Sequence, residues 1–452
     1  MDSTEKKQLL QEQKRKKKLV NIIGGGLAGC EATYQLAKRG IKVRLFEQKP
    51  TKFSPAHSNK DLAEIVCSNS LKSIDLSTAS GLLKAELELL DCLLLKVAKQ
   101  VSVPAGSALA VDRELFAKTV TEEIKKLDNV EIVYQEVESI DPNEHTIIAT
   151  GPLTDGKLAQ SISKLLGENA NLYFFDASAP IINADSLDSE KIFTAGRYGK
   201  GESDYINCPM NKEEYYAFVQ ELKTAKRVEL KEFETVNVFE GCMPIEIMAS
   251  RGEDTLRFGP LRPVGLLDNN GVRPYAVVQL RKESNTNNLY NLVGFQTNLV
   301  YPEQKRVFSM IPALKNAEFV KYGVMHRNTY ICAPKYLTNN FALKSNPLIH
   351  FAGQISGVEG YVESIASGLV AALDVFNQIA GNPAIEWSNN TIIGSLTNYI
   401  STASQDNFQP MNANFGILPE HNTKIKDKKE RKIAYSQRAI ASMKEVIKTH
   451  NI

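Results

Sequence analysis

Residues 19–50, LVNIIGGGLAGCEATYQLAKRGIKVRLFEQKP, restrict the fold more than any other stretch of the 452-residue chain. The apolar run from Leu19 to Ile23 reads as a buried parallel strand, and Gly24, Gly26 and Gly29 follow it at GxGxxG spacing. In such a turn the first glycine permits the tight bend and the second lets the backbone approach a pyrophosphate. The third lets helix and strand pack closely. Gly24, Gly25, Gly26, Leu27, Ala28 and Gly29 are therefore candidate phosphate-cradle residues, with a helix expected over 27–39. A second strand, Lys42–Phe46, ends in Glu47, whose carboxylate suits a ribose diol. Strand, glycines, helix, strand and terminal acid in that order make a dinucleotide fingerprint far more specific than the glycines alone.

Two later segments refine that reading. HTIIATGP, residues 145–152, is a short β-branched strand ending at a glycine turn, with Gly151 at the turn. PLIHFAGQISGVEGYVESIASGLVAAL, residues 347–373, gives a strand over 348–352, a glycine-rich turn and a long helix. Gly353, Gln354, Gly360 and Tyr361 in that turn are candidate cofactor contacts, and Glu363 is placed to orient a ligand. The three segments together resemble the large FAD-binding fold of the glutathione-reductase type. No second strand-GxGxxG-helix unit occurs, so a pyridine nucleotide, NADH or NADPH, is expected to visit rather than to own a domain.

The stretch between these segments has a different texture. GRYGKGESDYINCPM (196–210) is loop-like, 211–225 suggests a helix, and 236–248, 273–280 and 288–296 read as strands of a second sheet. The fold class is thus α/β, a Rossmann-type FAD domain with an inserted α+β domain. The expected boundaries are a basic extension over 1–18, the first part of the FAD domain over 19–197, the insertion over 198–330, the second part of the FAD domain over 331–420, and a basic helix or tail over 421–452. A cleft between two such domains is a common place for substrate to meet cofactor.

Composition bounds the function classes. With 43% hydrophobic and 23% charged residues, 27 Gly and 18 Pro, the chain is a globular protein and not a disordered one. No run of about eighteen apolar residues occurs and MDSTEKKQLLQEQKRKKK has no signal-peptide core, so a cytoplasmic location is expected. Six scattered cysteines without CxxC or zinc-like spacing argue against a disulfide scaffold or a structural metal. The net charge is only +2, yet residues 1–20 carry +4 and 421–452 carry +6 over an acidic middle. Basic ends of this kind neutralise phosphates on a nucleic acid or simply stay solvated.

The segments GGGLAGCEA, EIVCSNSLKS, VPAGSALAVDR, INCPMNKEE, FEGCMPIEIMA, GVRPYAVVQLR, EQKRVF, KYGVMHRNT, FAGQISGVEGYVES and NFQPMNANFGILP span residues 19 to 420 or so. Together they resemble the folate- and FAD-dependent RNA (uracil-5-)-methyltransferase family. The resemblance implies FAD, 5,10-methylenetetrahydrofolate and NADH or NADPH as cofactors, and RNA as partner. Its members make 5-methyluridine in the T-loop of transfer RNA, and some act on 23S ribosomal RNA. A related group of flavoproteins modifies wobble uridines and shares the AGQ-x-x-G-x-x-GY element. The chain departs from the family pattern at Lys72, at Ala105-Gly106-Ser107 and at Tyr301-Pro302, which leaves the flavin segments intact and opens the choice of RNA target.

Uracil C5 is a feeble nucleophile until a thiolate adds at C6, so this chemistry needs an accessible thiol of low pKa and a proton acceptor. By the resemblance, Cys242 is the nucleophile toward C6. Cys67 works beside the flavin, as base or as a thiol that captures the one-carbon unit. Ser68, Asn69, Ser70 and Lys72, which follow Cys67, supply hydrogen-bond donors and charge that stabilise a thiolate. Cys30, Cys92, Cys208 and Cys332 read as structural. His57, Asn69, Arg113, Arg197, Tyr198, Lys305, Arg306, His326, Arg327 and Asn412 are candidate contacts to folate, flavin or RNA phosphate.

Overall fold

The computed structural model describes residues 18–167, 171–199, 204–228, 243–283, 288–323, 325–406, 408–421 and 425–452. Strand β1 (Leu19–Ile23) leads through the glycine turn into helix α1 (Leu27–Ala37), and the chain returns as β2 (Lys42–Glu47). β1 and β2 pair in parallel, Leu19 opposite Lys42 through Ile23 opposite Phe46. The full sheet runs in the order Ala342–Leu343, Asn346–Phe351, Thr146–Ile148, β1, β2, Val130–Tyr134, all parallel except the short first strand. Its central strands are buried on both faces, which is why they read as unbroken apolar runs.

The long helix Tyr361–Ala380 packs on α1 at backbone contact. A Cβ added at Gly368 would lie 2.2 Å from the Ala28 carbonyl oxygen, so only glycine permits the approach. The C-terminal helix Lys428–His450 is not a free tail, because Ala439, Met443 and Val446 join the same core. Its Ser436 hydroxyl also donates to the Leu76 carbonyl at 2.6 Å. Buried glutamate side chains staple helix ends within this body. Glu31 accepts from the amides of Leu93 and Leu94, and Glu86 accepts from those of Ile392 and Ile393, each filling orphan donors of a helix N-terminus.

A second, antiparallel sheet has its own core, built around Cys208, Tyr215, Phe218, Val278, Leu280, Phe295 and Phe308. Its order is Phe193–Thr194, Tyr205–Met210, Ala276–Lys282, Leu289–Leu292, Ile181–Asn183, Glu318–Lys321. The inserted body therefore begins near residue 181 and not at 198, and its sheet closes at 321. A two-stranded ribbon, Asn171–Ala177 against Met325–Ile331, joins it to the first domain. The glycine-rich loop that suggested the later boundary lies inside the insertion. The expected strand over 236–248 also differs: 229–242 are outside the described residues, and Ile245–Ser250 is a helix. Its buried Glu246 accepts from the Asn298 amide and the Thr297 hydroxyl, contacts distant in sequence that override the β-branched pattern.

Candidate active site

A cleft of about 1280 Å³ runs across the carboxyl ends of the parallel strands, lined by Gly24, Gly25, Gly26, Leu27, Ala28, Glu47, His57, Gly151, Gly353, Gln354 and Tyr361 among others. The three fingerprint glycines are constrained differently. Gly24 has φ +106°, and a Cβ there would meet the Ala149 carbonyl oxygen at 2.5 Å. At Gly29 a Cβ would fall 1.9 Å from the Gly24 oxygen. At Gly26 it would meet no protein atom within 4 Å, so that position is shaped for something outside the chain. Gly26 is also the N-cap of α1 and offers no side-chain cap, which leaves the helix start facing the cleft for an anion.

Glu47, 7% exposed, accepts from the amides of Gly25 at 3.1 Å and Lys49 at 2.9 Å and still lines the cleft. Each carboxylate oxygen accepts more than one hydrogen bond, so a ribose diol fits beside them. Gly151 and Gly353 take φ +71° and +77° where the chain turns at the cleft wall. These residues together fit a dinucleotide such as FAD: a bare backbone cradle, a helix start and a buried acid in the expected order.

The cleft continues into a second cavity of about 1400 Å³, the two sharing Val66, Pro152, Leu153, Gln354, Tyr361 and Ser364. Cys67 lines this second cavity. The Tyr361 hydroxyl oxygen accepts from the Cys67 amide at 2.9 Å and the Ser68 amide at 3.2 Å, and lies 2.9 Å from the Cys67 sulfur. Burial and the neighbouring thiol push the Tyr361 phenol well above its ordinary range, so it stays protonated and donates to sulfur. Opposite it, Glu363 is 1% exposed and accepts from the Ala413 amide at 3.0 Å, with Lys72 Nζ at 3.3 Å. Lys72 takes φ +63°, a left-handed conformation inside the short strand Ser70–Ser73, where the pairing register shifts.

The other sequence candidates divide. His57 lines the cleft, its Nδ1 2.5 Å from the Ser54 hydroxyl, and Asn412 lines the second cavity. Asn69 is fully buried and faces no cavity; its amide donates to the Val111 and Lys282 carbonyls, tying the two domains. Arg197 donates to the Gln279 side chain and the Val264 carbonyl within the insertion. Arg306 is taken up by Glu303 of its own helix, Tyr301–Phe308, and by Glu221 of Lys212–Thr224. Neither arginine lines either cavity, because each satisfies a local partner. His326 and Arg327 lie in the ribbon strand Met325–Ile331. Cys242 lies outside the described residues. Cys30, Cys92 and Cys208 are buried, and burial raises each thiol.

Sequence reasoning missed Lys321 and Gln296 of the inserted domain and Asn328 of the ribbon, which line the second cavity, and Arg281, which holds the Cys67 loop, with Glu283, which pairs with Arg113. The available signal was the charged run Arg281-Lys282-Glu283 directly after AVVQL, a segment apolar enough to be a central strand.

The fold and the two joined cavities define a flavoprotein-type Rossmann domain carrying an inserted antiparallel domain. The model of the family Glucose inhibited division protein A matches residues 19–383. Methylenetetrahydrofolate--tRNA-(uracil-5-)-methyltransferase TrmFO of Acetivibrio thermocellus is 54% identical over 433 residues, covering 96% of this chain and 99% of the relative. The TrmFO of Bacillus subtilis is 52% identical, covering 95% and 99%. Among solved structures, GidA from Aquifex aeolicus superposes with a TM-score of 0.69 at 15% identity, over 94% of this chain and 73% of that one, a likeness of fold. The chain belongs to the TrmFO family of methylenetetrahydrofolate- and FAD-dependent tRNA (uracil-5-)-methyltransferases, within the wider family that the GidA model describes. Among the described residues no helix is long and apolar enough to cross a membrane, and no group of three or more His, Cys, Asp or Glu could hold a metal.

Proposed function

We propose that this chain moves the methylene carbon of 5,10-methylenetetrahydrofolate to C5 of a uridine in RNA and completes it to a methyl group, with NADH or NADPH as reductant. The single observation that carries the reading is the junction at Tyr361, where the dinucleotide cleft opens onto a cavity containing Cys67. FAD in the cleft supplies one-carbon carriage and hydride. The glycine turn, the α1 start and Glu47 would bind and orient it, with Gly353 and Gln354 lining the same cleft. Lys321, Asn328 and Lys72 give the second cavity cationic and polar walls for folate and for RNA phosphate.

Within that cavity Cys67, with Tyr361 donating to its sulfur, holds or moves a proton beside the reacting carbon, or captures that carbon itself. Cys242, which follows from family resemblance, adds to uracil C6 and makes C5 nucleophilic; after C5 bonds the carbon, the C5 proton leaves to a base, the bond from that carbon to its carrier breaks, and a hydride from the reductant completes the methyl group. Elimination of the thiolate then restores the ring. The preferred target is the T-loop uridine of transfer RNA. Incubation with labelled methylenetetrahydrofolate and transcripts of transfer RNA and 23S ribosomal RNA tests the reading. Label in 5-methyluridine from transfer RNA supports it, label from 23S RNA alone moves the target, and label in neither rejects it. A substituted methyl group at a wobble uridine points to the related flavoproteins instead.

A further inference from the structure

The Cys67 loop is gripped on both sides by buried guanidinium groups. Ahead of Cys67, Arg113 donates through Nη1 to the Val66 carbonyl at 3.0 Å and the Ile65 carbonyl at 3.3 Å. Behind it, Arg281 donates through Nη2 to the Ser68 hydroxyl at 2.7 Å and through Nε to the Asn69 side-chain oxygen at 2.8 Å. The two arginines come from different domains but share one anchor. Arg281 lies on the inserted strand Ala276–Lys282, and Glu283, the next residue after that strand, pairs with Arg113 Nε at 2.5 Å. Asn69 closes the grip by donating to the Lys282 carbonyl of the same strand at 2.9 Å.

Burying a guanidinium is costly unless charge and hydrogen bonds answer it. Around Cys67 the facing cations are Arg113, Arg281 and Lys321, each of which interacts electrostatically with the thiol. Glu283 offsets one of them. Glu64, the other acid near Lys321, is paired with Lys49 at 3.3 Å, and Glu363 is paired with Lys72. Tyr361 is protonated and contributes a donor. Arg113, Arg281 and Lys321 thus stand near the sulfur with Glu283 paired to one of them, and an anion at Cys67 would answer the others.

We propose that Arg113 and Arg281 are positioning residues: docked across the domain boundary, they fix the Cys67 loop and keep its sulfur as the thiolate. The inference rests on Cys67 being the working thiol of the cavity proposed above. It makes the inserted domain part of the thiol's activation, since the strand bearing Arg281 and Glu283 belongs to that domain.

The test is the pH dependence of iodoacetamide alkylation in the FAD-bound full chain, read by mass spectrometry on the peptide carrying Cys67. The wild type should show a midpoint clearly below the ~8.5 of a free cysteine. Arg281→Met should raise it by about one pH unit, a roughly tenfold loss of thiolate at neutral pH. Arg281→Lys, which keeps charge but not the forked geometry, should restore most of the midpoint while turnover stays low. Should Arg281→Met fail to retain flavin, Ser68→Ala removes only the hydroxyl that Arg281 grips and should give a smaller rise. A wild-type midpoint at or above 8.5, or an unmoved midpoint in the variants that fold, overturns the proposal. Because alkylation needs no RNA, a depressed midpoint without methyl transfer would reject the functional reading alone.

Discussion

The Tyr361 hydroxyl stands 2.9 Å from the Cys67 sulfur and 2.9 Å from the Cys67 amide, so one oxygen organises both the backbone and the thiol of the same residue. Accepting two amide hydrogens leaves its own proton free for sulfur. If the sulfur is the thiolate proposed above, Tyr361→Phe removes a hydrogen bond to a charged partner, worth about 1.5–3 kcal/mol, and leaves two amides without an acceptor. Methylene transfer to RNA should fall by roughly 10- to 100-fold. Flavin absorbance of the purified variant should be largely retained, because Tyr361 lines the cleft only where it meets the second cavity, while the glycine turn and Glu47 form the cradle.

The fingerprint glycines should fail in different ways. Gly26→Val places its side chain in space no protein atom occupies, at an extended φ of −78°, so folding should survive while flavin retention is lost. Gly29→Ala drives a methyl into the Gly24 carbonyl, and overpacking of this kind costs about 1–3 kcal/mol. Thermal unfolding and the ratio of flavin to protein absorbance separate the two outcomes.

Glu86 gives the protein a pH-dependent stability. Burial pushes its carboxyl up to about 8, while the Ile392 and Ile393 amides oppose that rise. The folded state thus holds a proton that the unfolded chain releases above about 4.3. This contribution to stability is complete at low pH and is lost as pH rises from that value through 8. In Glu86→Gln the downward slope over this window should shrink, measured by denaturant midpoints from pH 5 to 8.

The terminal charge can be tested without touching the site. Deleting residues 1–18, which include KRKKK, should reduce the slope of log affinity for RNA against log salt by several units, with bound flavin unchanged. Filter binding at several salt concentrations measures it.

How far the sequence reached depends on the range of the forces involved. β1, α1 and β2 were legible because turn, period and terminal acid are local, and the helix over 211–225 appears as Lys212–Thr224 for the same reason. The start of the insertion was not legible, since Ile181–Asn183 and Phe193–Thr194 are too short to show alternation. Asn69 looked like a ligand contact, but its partner carbonyl at Lys282 lies 213 positions away, and only docking of the domains brings the two together. Arg281 was hidden likewise: an arginine beside Lys282 at a strand end reads as solvent-facing until a second domain covers it.

The inserted sheet begins and ends at paired strands, with Ile181 opposite Lys321, so the chain leaves the nucleotide-binding body and returns to it at almost the same point. Such a module can be gained, lost or exchanged in evolution without rethreading its host. What restrains the exchange is the Arg281–Glu283 pair of anchors: a replacement lacking them would fold beside its host and leave the thiol idle.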